Sequence, residues 1–189
     1  MSNTREYCEI LSRNIGKYKV YLSPLSGKVS DYTNWINDFE INSMLGRADR
    51  VTTEAEQTEF ITNCKGKPYF DINCKGENFN SKIGVCSIVV IDNLTRHAVI
   101  GIHIGSKEYR GIGIGKAAVD MLMEFAFKRM NLESLSLTVV EDNTKAIRCY
   151  ANCGFRTQGI QRNRAYVNGV YKNLIYMDIT KDEYFNKGE

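Results

Sequence analysis

The stretch 102-IHIGSKEYRGIGIGK-116 decides how this chain folds. Its first residues end a strand-like segment, and its last residues begin an amphipathic helix predicted over residues 113–130. Glycines at Gly111, Gly113 and Gly115 allow the backbone to approach a ligand closely. The first turn of the helix adds unpaired N–H groups and the positive end of the helix dipole. The stretch therefore predicts a cradle for an anion, and a diphosphate suits it best.

Two common phosphate-binding motifs fit this stretch poorly. A P-loop is excluded because Ala117 stands where a serine or threonine must follow Gly115-Lys116. The spacing Gly113-x-Gly115-x-x-Ala118 meets the dinucleotide fingerprint, which belongs to a doubly wound parallel sheet. The flanking strands predict an antiparallel meander and a hairpin instead. A protein binding a dinucleotide such as NAD therefore stays the weaker alternative.

The rest of the pattern predicts an α/β fold. Thr53 and Glu56 form a capping box that begins a helix, and residues 38–51 before it are predicted to be a loop. Asn168-Gly169 predicts a hairpin between the last two strands. We expect a mixed, largely antiparallel sheet of six to seven strands, flanked by about four helices and containing one β-α-β crossover. We expect one domain over residues 1–189, with a core at about 17–180 and peripheral segments at 1–16 and 181–189.

Composition excludes several classes of protein. The 189 residues are 43% hydrophobic and 25% charged, which suits an ordinary soluble globular domain. The net charge of +3, from 25 basic and 22 acidic residues, is too small to demand nucleic acid or an anionic membrane as a partner. No segment resembles a signal peptide or a membrane-spanning helix. We expect a cytoplasmic protein with no direct nucleic-acid partner and no membrane partner.

Cysteine and histidine usage argues against a metal site. The six cysteines form no CxxC pair, and the chain has two histidines, so closely spaced zinc ligands are missing. Free thiols in a reducing compartment are the simpler interpretation. We expect no bound metal.

Three motifs, in this order, resemble those of the GNAT superfamily of N-acetyltransferases: Arg110-x-x-Gly113-x-Gly115, then Asn143-x-x-Ala146-Ile147-x-x-Tyr150-x-x-x-Gly154-Phe155, then Asn168-Gly169-x-Tyr171-x-Asn173-x-x-x-Met177. The first is similar to the acetyl-CoA pyrophosphate motif of that family. The resemblance covers residues 82–184. A looser similarity around Trp35 points to the branch that acetylates ribosomal-protein N-termini and spermidine.

The resemblance implies the GNAT fold, acetyl-CoA as the acetyl donor and no metal. The implied acceptor is a primary amine of a protein N-terminus or of a small molecule such as a polyamine or amino sugar. In GNAT proteins the strand before the glycine turn splays from the next strand, and its free backbone groups hold the pantetheine and polarise the thioester. The implied cofactor-binding residues are Ile102, His103, Ile104, Gly105, Arg110, Gly111, Ile112, Gly113, Ile114, Gly115, Lys116, Asn143, Ala146, Ile147 and Tyr150.

Tyr150 is the general acid that the resemblance implies. It shares one helix face with Asn143, Ala146 and Ile147, because the four residues are spaced i, i+3, i+4 and i+7. A phenol with an ordinary pKa near 10 keeps its proton at pH 7, so Tyr150 can protonate the departing thiolate. Asn143 also suits the N-cap of this helix, and both roles are compatible.

The residues offer several candidates for the general base. Relatives often carry a glutamate where this chain has Val99. In a strand, His103 points to the same face of the sheet as Val99, and its ordinary pKa is near neutral. Glu141 or Asp142 at the end of the next strand, or a chain of water molecules, are the other candidates. Because Val99 departs from the family pattern, a non-catalytic CoA-binding regulatory module on the same fold stays an alternative.

The acceptor is expected near residues 32–50 and the hairpin at 166–171. Trp35 offers an aromatic face, and Asp38 and Glu40 offer carboxylates that could receive a cationic amine. A core tryptophan with charges at a helix end is the competing interpretation. Homodimers are common in the resembled branch, so a homodimer is one further expectation.

Overall fold

A computed structural model describes residues 8–26, 28–47 and 51–186. In these ranges the chain forms an eight-stranded sheet of order β1-β2-β3-β4-β5-β6-β8-β7 and six α-helices. The strands are β1 Leu11–Ile15, β2 Tyr18–Pro24, β3 Tyr69–Lys75, β4 Asn80–Asp92, β5 His97–Ile104, β6 Ser134–Val140, β7 Arg156–Val167 and β8 Val170–Thr180. The helices are α1 Val29–Asn37, α2 Phe39–Leu45, α3 Glu54–Asn63, α4 Ile114–Glu124, α5 Thr144–Asn152 and α6 Lys181–Phe185.

The sheet is antiparallel at every neighbouring pair except β5 and β6, which run parallel. Helix α4 and the π-helical turn that follows it, Phe125–Arg129, make the connection between these two strands. The predicted class, a largely antiparallel α/β sheet with a β-α-β crossover, is confirmed. A doubly wound parallel sheet is not what the described residues form, so the dinucleotide alternative loses its structural basis.

The main core lies between α4 and the sheet. Ala118, Met121 and Leu122 recur at i, i+3 and i+4 and are fully buried, in one apolar cluster with Ile72 and Leu135 from the sheet. Burying each large side chain contributes roughly 1.5–3 kcal/mol. This packing holds α4 against the sheet.

Helix α2 replaces the first half of the loop that was predicted at residues 38–51, and that prediction is wrong there. The Asp38 side chain accepts a hydrogen bond from the Ile41 backbone N–H at 3.0 Å, which caps the helix N-terminus. Gly46 adopts φ +70 and ends the helix, because a left-handed residue suits glycine. The helix is only seven residues long, too short for its apolar period to stand out.

The sheet also has one strand more than the predicted maximum of seven. Strand β1 pairs antiparallel with β2 through a tight turn at Gly16, whose φ is +56. An ion pair between Arg13 and Glu124 ties β1 to the end of α4. The capping box at Thr53 and the hairpin turn at Asn168-Gly169 are confirmed.

Candidate active site

Strands β5 and β6 pair at the start of β5 and then separate. Their pairing covers only residues 97–99 of β5, although β5 continues to Ile104 and keeps pairing with β4 to its end. Alternate backbone N–H and C=O groups of residues 100–104 therefore face an open gap. Such an edge can accept an extended ligand that contains amide groups, much as it would accept another strand.

The glycine-rich turn follows β5 in the chain and leads into α4. Gly113 adopts φ +92 as the N-cap of α4, and no described side chain caps that helix. A Cβ added at Gly111 or Gly115 would meet no atom within 4 Å. The N–H groups of Ile114, Gly115 and Lys116 thus have no side-chain cap, and the space beside Gly111 and Gly115 is open. Together with the helix dipole they suit a phosphate group, as the sequence predicts.

Arg110 holds the end of β5 in place. Its Nε donates to the Ile104 carbonyl at 3.0 Å and its Nη2 to the Gly105 carbonyl at 3.3 Å. Its Nη1 lies 2.7 Å from Glu40 Oε1. The guanidinium thus connects β5 to α2, and the backbone of the turn supplies the open anion-binding surface.

Asp38 and Glu40, the two carboxylates predicted to receive an amine, are bonded within the chain. Both oxygens of Glu40 are engaged, by Lys107 Nζ at 2.7 Å and by Arg110 Nη1 at 2.7 Å. The hydrogen bond from Lys107 lowers the pKa of Glu40. The hydrogen bond from the Ile41 N–H lowers the pKa of Asp38, which also lies 3.6 Å from Lys107 Nζ. Neither residue offers a free carboxylate.

Trp35 covers the end of β5 from the side of α1. A Cβ added at Gly105 would come within 2.1 Å of the indole ring, so only glycine allows this close approach. The half-buried indole also meets the His103 ring edge to face, with 6.1 Å between ring centroids. Trp35 therefore packs against the end of β5, and its place beside an acceptor stays a prediction.

His103 is half-buried in β5, and its ring contacts Trp35 of α1. Burial, followed by the charges of Arg110 and Arg47, lowers the pKa of His103 to about 4. The imidazole is therefore neutral at pH 7. A base of this strength is a weak proton acceptor for an ammonium group, whose ordinary pKa is about 10.4.

Helix α5 borders the gap from the β6 side. The Asn143 side chain accepts from the Ala146 N–H at 3.2 Å, so its predicted capping role is confirmed. Ala146, Ile147 and Tyr150 pack against the edge of the core. The Tyr150 hydroxyl makes no hydrogen bond to a described residue, and burial raises the pKa of Tyr150 well above its usual range. The phenol therefore keeps its proton and has it free to donate.

Glu141 and Asp142 follow the last residue of β6. Glu141 accepts from the Asn173 backbone N–H at 2.8 Å and from its Nδ2 at 2.9 Å. Asp142 forms an ion pair with Lys172 Nζ at 2.7 Å. Both carboxylates thus fasten β8 to the end of β6 at the mouth of the gap.

The sequence reasoning missed a polar group beneath α1. Asp71 is fully buried and accepts from the Tyr32 hydroxyl at 2.6 Å and from the Ser26 N–H at 3.0 Å. Burial raises its pKa. The Lys82 ammonium is buried 3.7 Å from the centroid of the Tyr32 ring. The sequence feature that could have predicted this group is Asp71 itself, a charged residue among the apolar residues of β3.

Two features that would point to other classes of protein do not occur in residues 8–26, 28–47 and 51–186. No group of three or more His, Cys, Asp or Glu side chains is placed to hold a metal ion there. No helix in that part of the chain has the length and apolar character needed to cross a membrane.

Several known proteins are similar to this chain. Residues 19–156 match the model of the acetyltransferase (GNAT) domain. Spermidine N(1)-acetyltransferase of Escherichia coli (strain K12) is 36% identical over 115 residues, which cover 61% of this chain and 59% of that enzyme. An uncharacterised N-acetyltransferase, p20, of Bacillus licheniformis is 28% identical over 82% of this chain and 72% of its own length.

The fold is also that of solved structures. The crystal structure of spermidine N-acetyltransferase from Vibrio cholerae, in complex with CoA and spermine, superposes with a TM-score of 0.78, covering 88% of this chain and 98% of that one at 23% identity. The gap, the uncapped glycine turn and the match over residues 19–156 agree, and the chain belongs to the GNAT acetyltransferase domain family.

Proposed function

We propose that this protein is an acetyl-CoA-dependent N-acetyltransferase that acetylates a primary amine by direct transfer. The observation that carries the proposal is the order of two features along the chain: a strand edge at residues 100–104 that does not pair with β6 is followed, after residues 105–113, by an uncapped helix N-terminus. An extended amide chain ending in a diphosphate has the same order of groups. When bound, acetyl-CoA supplies an acetyl group activated as a thioester.

The chain's own backbone would hold this donor. The N–H groups from Ile112 to Lys116 are proposed to donate to the diphosphate at the positive end of α4. The gap-facing backbone groups of Ile102 and the N–H of Ile104, whose carbonyl Arg110 engages, are proposed to bind the amide-containing arm. Asn143, Ala146 and Ile147 would line the opposite side of the gap.

Polarisation of the thioester is proposed to come from β5. A gap-facing N–H of the unpaired strand end donates to the carbonyl oxygen on which negative charge develops. In other enzymes, one such fixed donor raises kcat by about 10²- to 10³-fold. Arg110 supports this geometry because it holds the Ile104 and Gly105 carbonyls.

Tyr150 is the proposed general acid. As the amine nitrogen bonds to the acetyl carbon and the carbon–sulfur bond breaks, the Tyr150 hydroxyl donates its proton to the leaving sulfur. Support comes from the hydroxyl, which no described residue engages, and from burial, which keeps it protonated.

The proton lost by the amine is proposed to pass to water in the gap. His103, with a pKa of about 4, is a weak acceptor. Both oxygens of Glu141 accept hydrogen bonds from Asn173. Water, and an amine that arrives partly deprotonated, therefore remain the favoured route.

The test is release of CoA thiol from acetyl-CoA against a panel of amines. The panel holds spermidine, spermine, amino sugars, aminoglycosides and peptides with ribosomal-protein N-termini. Turnover with one class is expected, and Tyr150→Phe is expected to lower kcat by about 10²-fold or more while calorimetry shows unchanged acetyl-CoA binding. Binding without turnover on any amine would favour the non-catalytic CoA-binding module. Equal turnover in Tyr150→Phe would remove the tyrosine from its role.

A further inference from the structure

We infer that the acceptor amine of this protein carries an anionic group, a carboxylate or phosphate, and that Arg47 binds it. The inference rests on the proposed function and narrows its substrate class. It differs from a polyamine, which is the substrate in the name of the E. coli relative.

Arg47 lies at the mouth of the gap. It follows Gly46, whose missing Cβ would stand 3.2 Å from Ala165 Cβ, 3.4 Å from Val140 Cγ2 and 3.7 Å from Leu174 Cδ2. Val140 is the last residue of β6, the strand that borders the gap. The end of α2 is therefore held directly against the end of β6 and the β7–β8 hairpin.

The Arg47 guanidinium is available to a ligand. Its side chain is exposed, and it forms no hydrogen bond or ion pair with a described residue. Its positive charge acts on His103 of β5, because Arg47 is one of the two cations that disfavour protonation of that imidazole. An anion on the acceptor would thus find, beside the gap, a cation that no described residue pairs.

Among the described residues, the carboxylates of three segments near the gap are committed to partners within the chain. Those on α1, on and before α2, and in the turn after β6 all have partners within the chain: Asp31 with Lys82, Asp38 with Lys107, Glu40 with Lys107 and Arg110, Glu141 with Asn173, and Asp142 with Lys172. A polyamine would have to displace these lysines and Arg110, or the neutral Asn173, to gain its own contacts. The pattern of free and paired charges therefore favours an anionic group and disfavours a second cation.

Two matched sets of amines test the inference. One set is γ-aminobutyrate, its amide and putrescine, which differ in the charge of the distal group. The other is a serine-leading tetrapeptide whose next two residues are both glutamate, both glutamine or both lysine. Together the sets separate a small-molecule acceptor from a peptide acceptor. Each is assayed with wild type, Arg47→Gln and the control Arg96→Gln, which removes an arginine next to the opposite end of β5.

In at least one set the anionic member is expected to have the lowest KM. Arg47→Gln is expected to raise that KM about two- to fivefold, as for loss of an exposed ion pair, and to leave the neutral member unchanged. Arg96→Gln should change neither. Added salt should raise the anionic KM in wild type only. Equal or better use of the neutral or cationic members, or an unchanged ratio in Arg47→Gln, overturns the inference.

A binding measurement separates this inference from the proposed function. If no amine is acetylated, the proposed function fails, and calorimetry of the same probes with CoA present decides the inference alone. Preferential binding of an anionic probe that is lost in Arg47→Gln supports it. Equal binding of the three charge types, or no binding, overturns it.

Discussion

His103 should make the folded protein sensitive to mild acid. Burial beside Trp35, with Arg110 and Arg47 nearby, lowers the His103 pKa from 6.5 to about 4. An unfolded chain takes up a proton on this histidine below about pH 6.5, whereas the folded chain does so only near pH 4. The unfolded state therefore binds more protons in that window. Stability is unaffected by His103 above pH 6.5 and falls progressively as the pH drops towards 4.

The size of this effect follows from the pKa. At about 1.4 kcal/mol for each tenfold change in proton affinity, the lowering of the His103 pKa from 6.5 to about 4 corresponds to ~3 kcal/mol. His103→Gln removes the titration. The free energy of unfolding of wild type should thus fall by up to about 3 kcal/mol more than that of the variant between pH 7 and pH 4.

Urea unfolding followed by Trp35 fluorescence at a series of pH values measures this difference. Other titrating groups cancel, because they are common to both proteins. Ile100→Val, on the same strand, is the control: it should cost about 1 kcal/mol equally at every pH. If the wild type and His103→Gln differ by the same amount throughout, His103 is not desolvated, and the packing of Trp35 and the two arginines around it is wrong.

The remaining predictions concern the cradle and the base. Gly115→Ala should stabilise the fold by up to about 1 kcal/mol, because alanine suits a helix better than glycine. The same change should weaken acetyl-CoA binding about tenfold, because the added methyl group fills the space above the uncapped N–H groups. Differential scanning fluorimetry measures the stability and calorimetry the affinity; a loss of stability with unchanged affinity would contradict the proposed cradle. Glu141→Gln should keep kcat within about threefold, because the amide oxygen still accepts one of the two hydrogen bonds from Asn173, whereas loss of a general base costs about 10²-fold or more. Steady-state kinetics over a range of pH checks this, and a fall in kcat of about 10²-fold would restore Glu141 as the base.

Local sequence signals predicted the parts of the fold that depend on local chemistry. Asn168-Gly169 supplies the two left-handed residues that a tight hairpin requires, with φ of +53 and +78. Thr53 and Glu56 satisfy each other's backbone N–H groups within one helical turn. The glycine turn before α4 could likewise be predicted from its own residues, because its conformation depends on glycine at those positions.

Tertiary contacts decided what the sequence could not predict. Strand β1 is held by its pairing with β2 and by the Arg13–Glu124 ion pair, and α2 depends on Gly46 fitting closely against Ala165. In the site, Glu40 and Arg110 are 70 positions apart in sequence yet bonded in the fold. No local pattern announces such a pair, so the sequence assigned Glu40 to the acceptor.

Transfer of an isotopically labelled acetyl group tests the central claim most directly. Acetyl-CoA labelled in the acetyl group is mixed with the protein and the acceptor found in the amine panel, and both protein and amine are followed by mass spectrometry. Direct transfer predicts that the label moves to the amine nitrogen while the protein mass stays unchanged throughout the first turnover. Label that appears first on the protein, on a cysteine such as Cys149 beside Tyr150, or label that never leaves acetyl-CoA, would contradict the account.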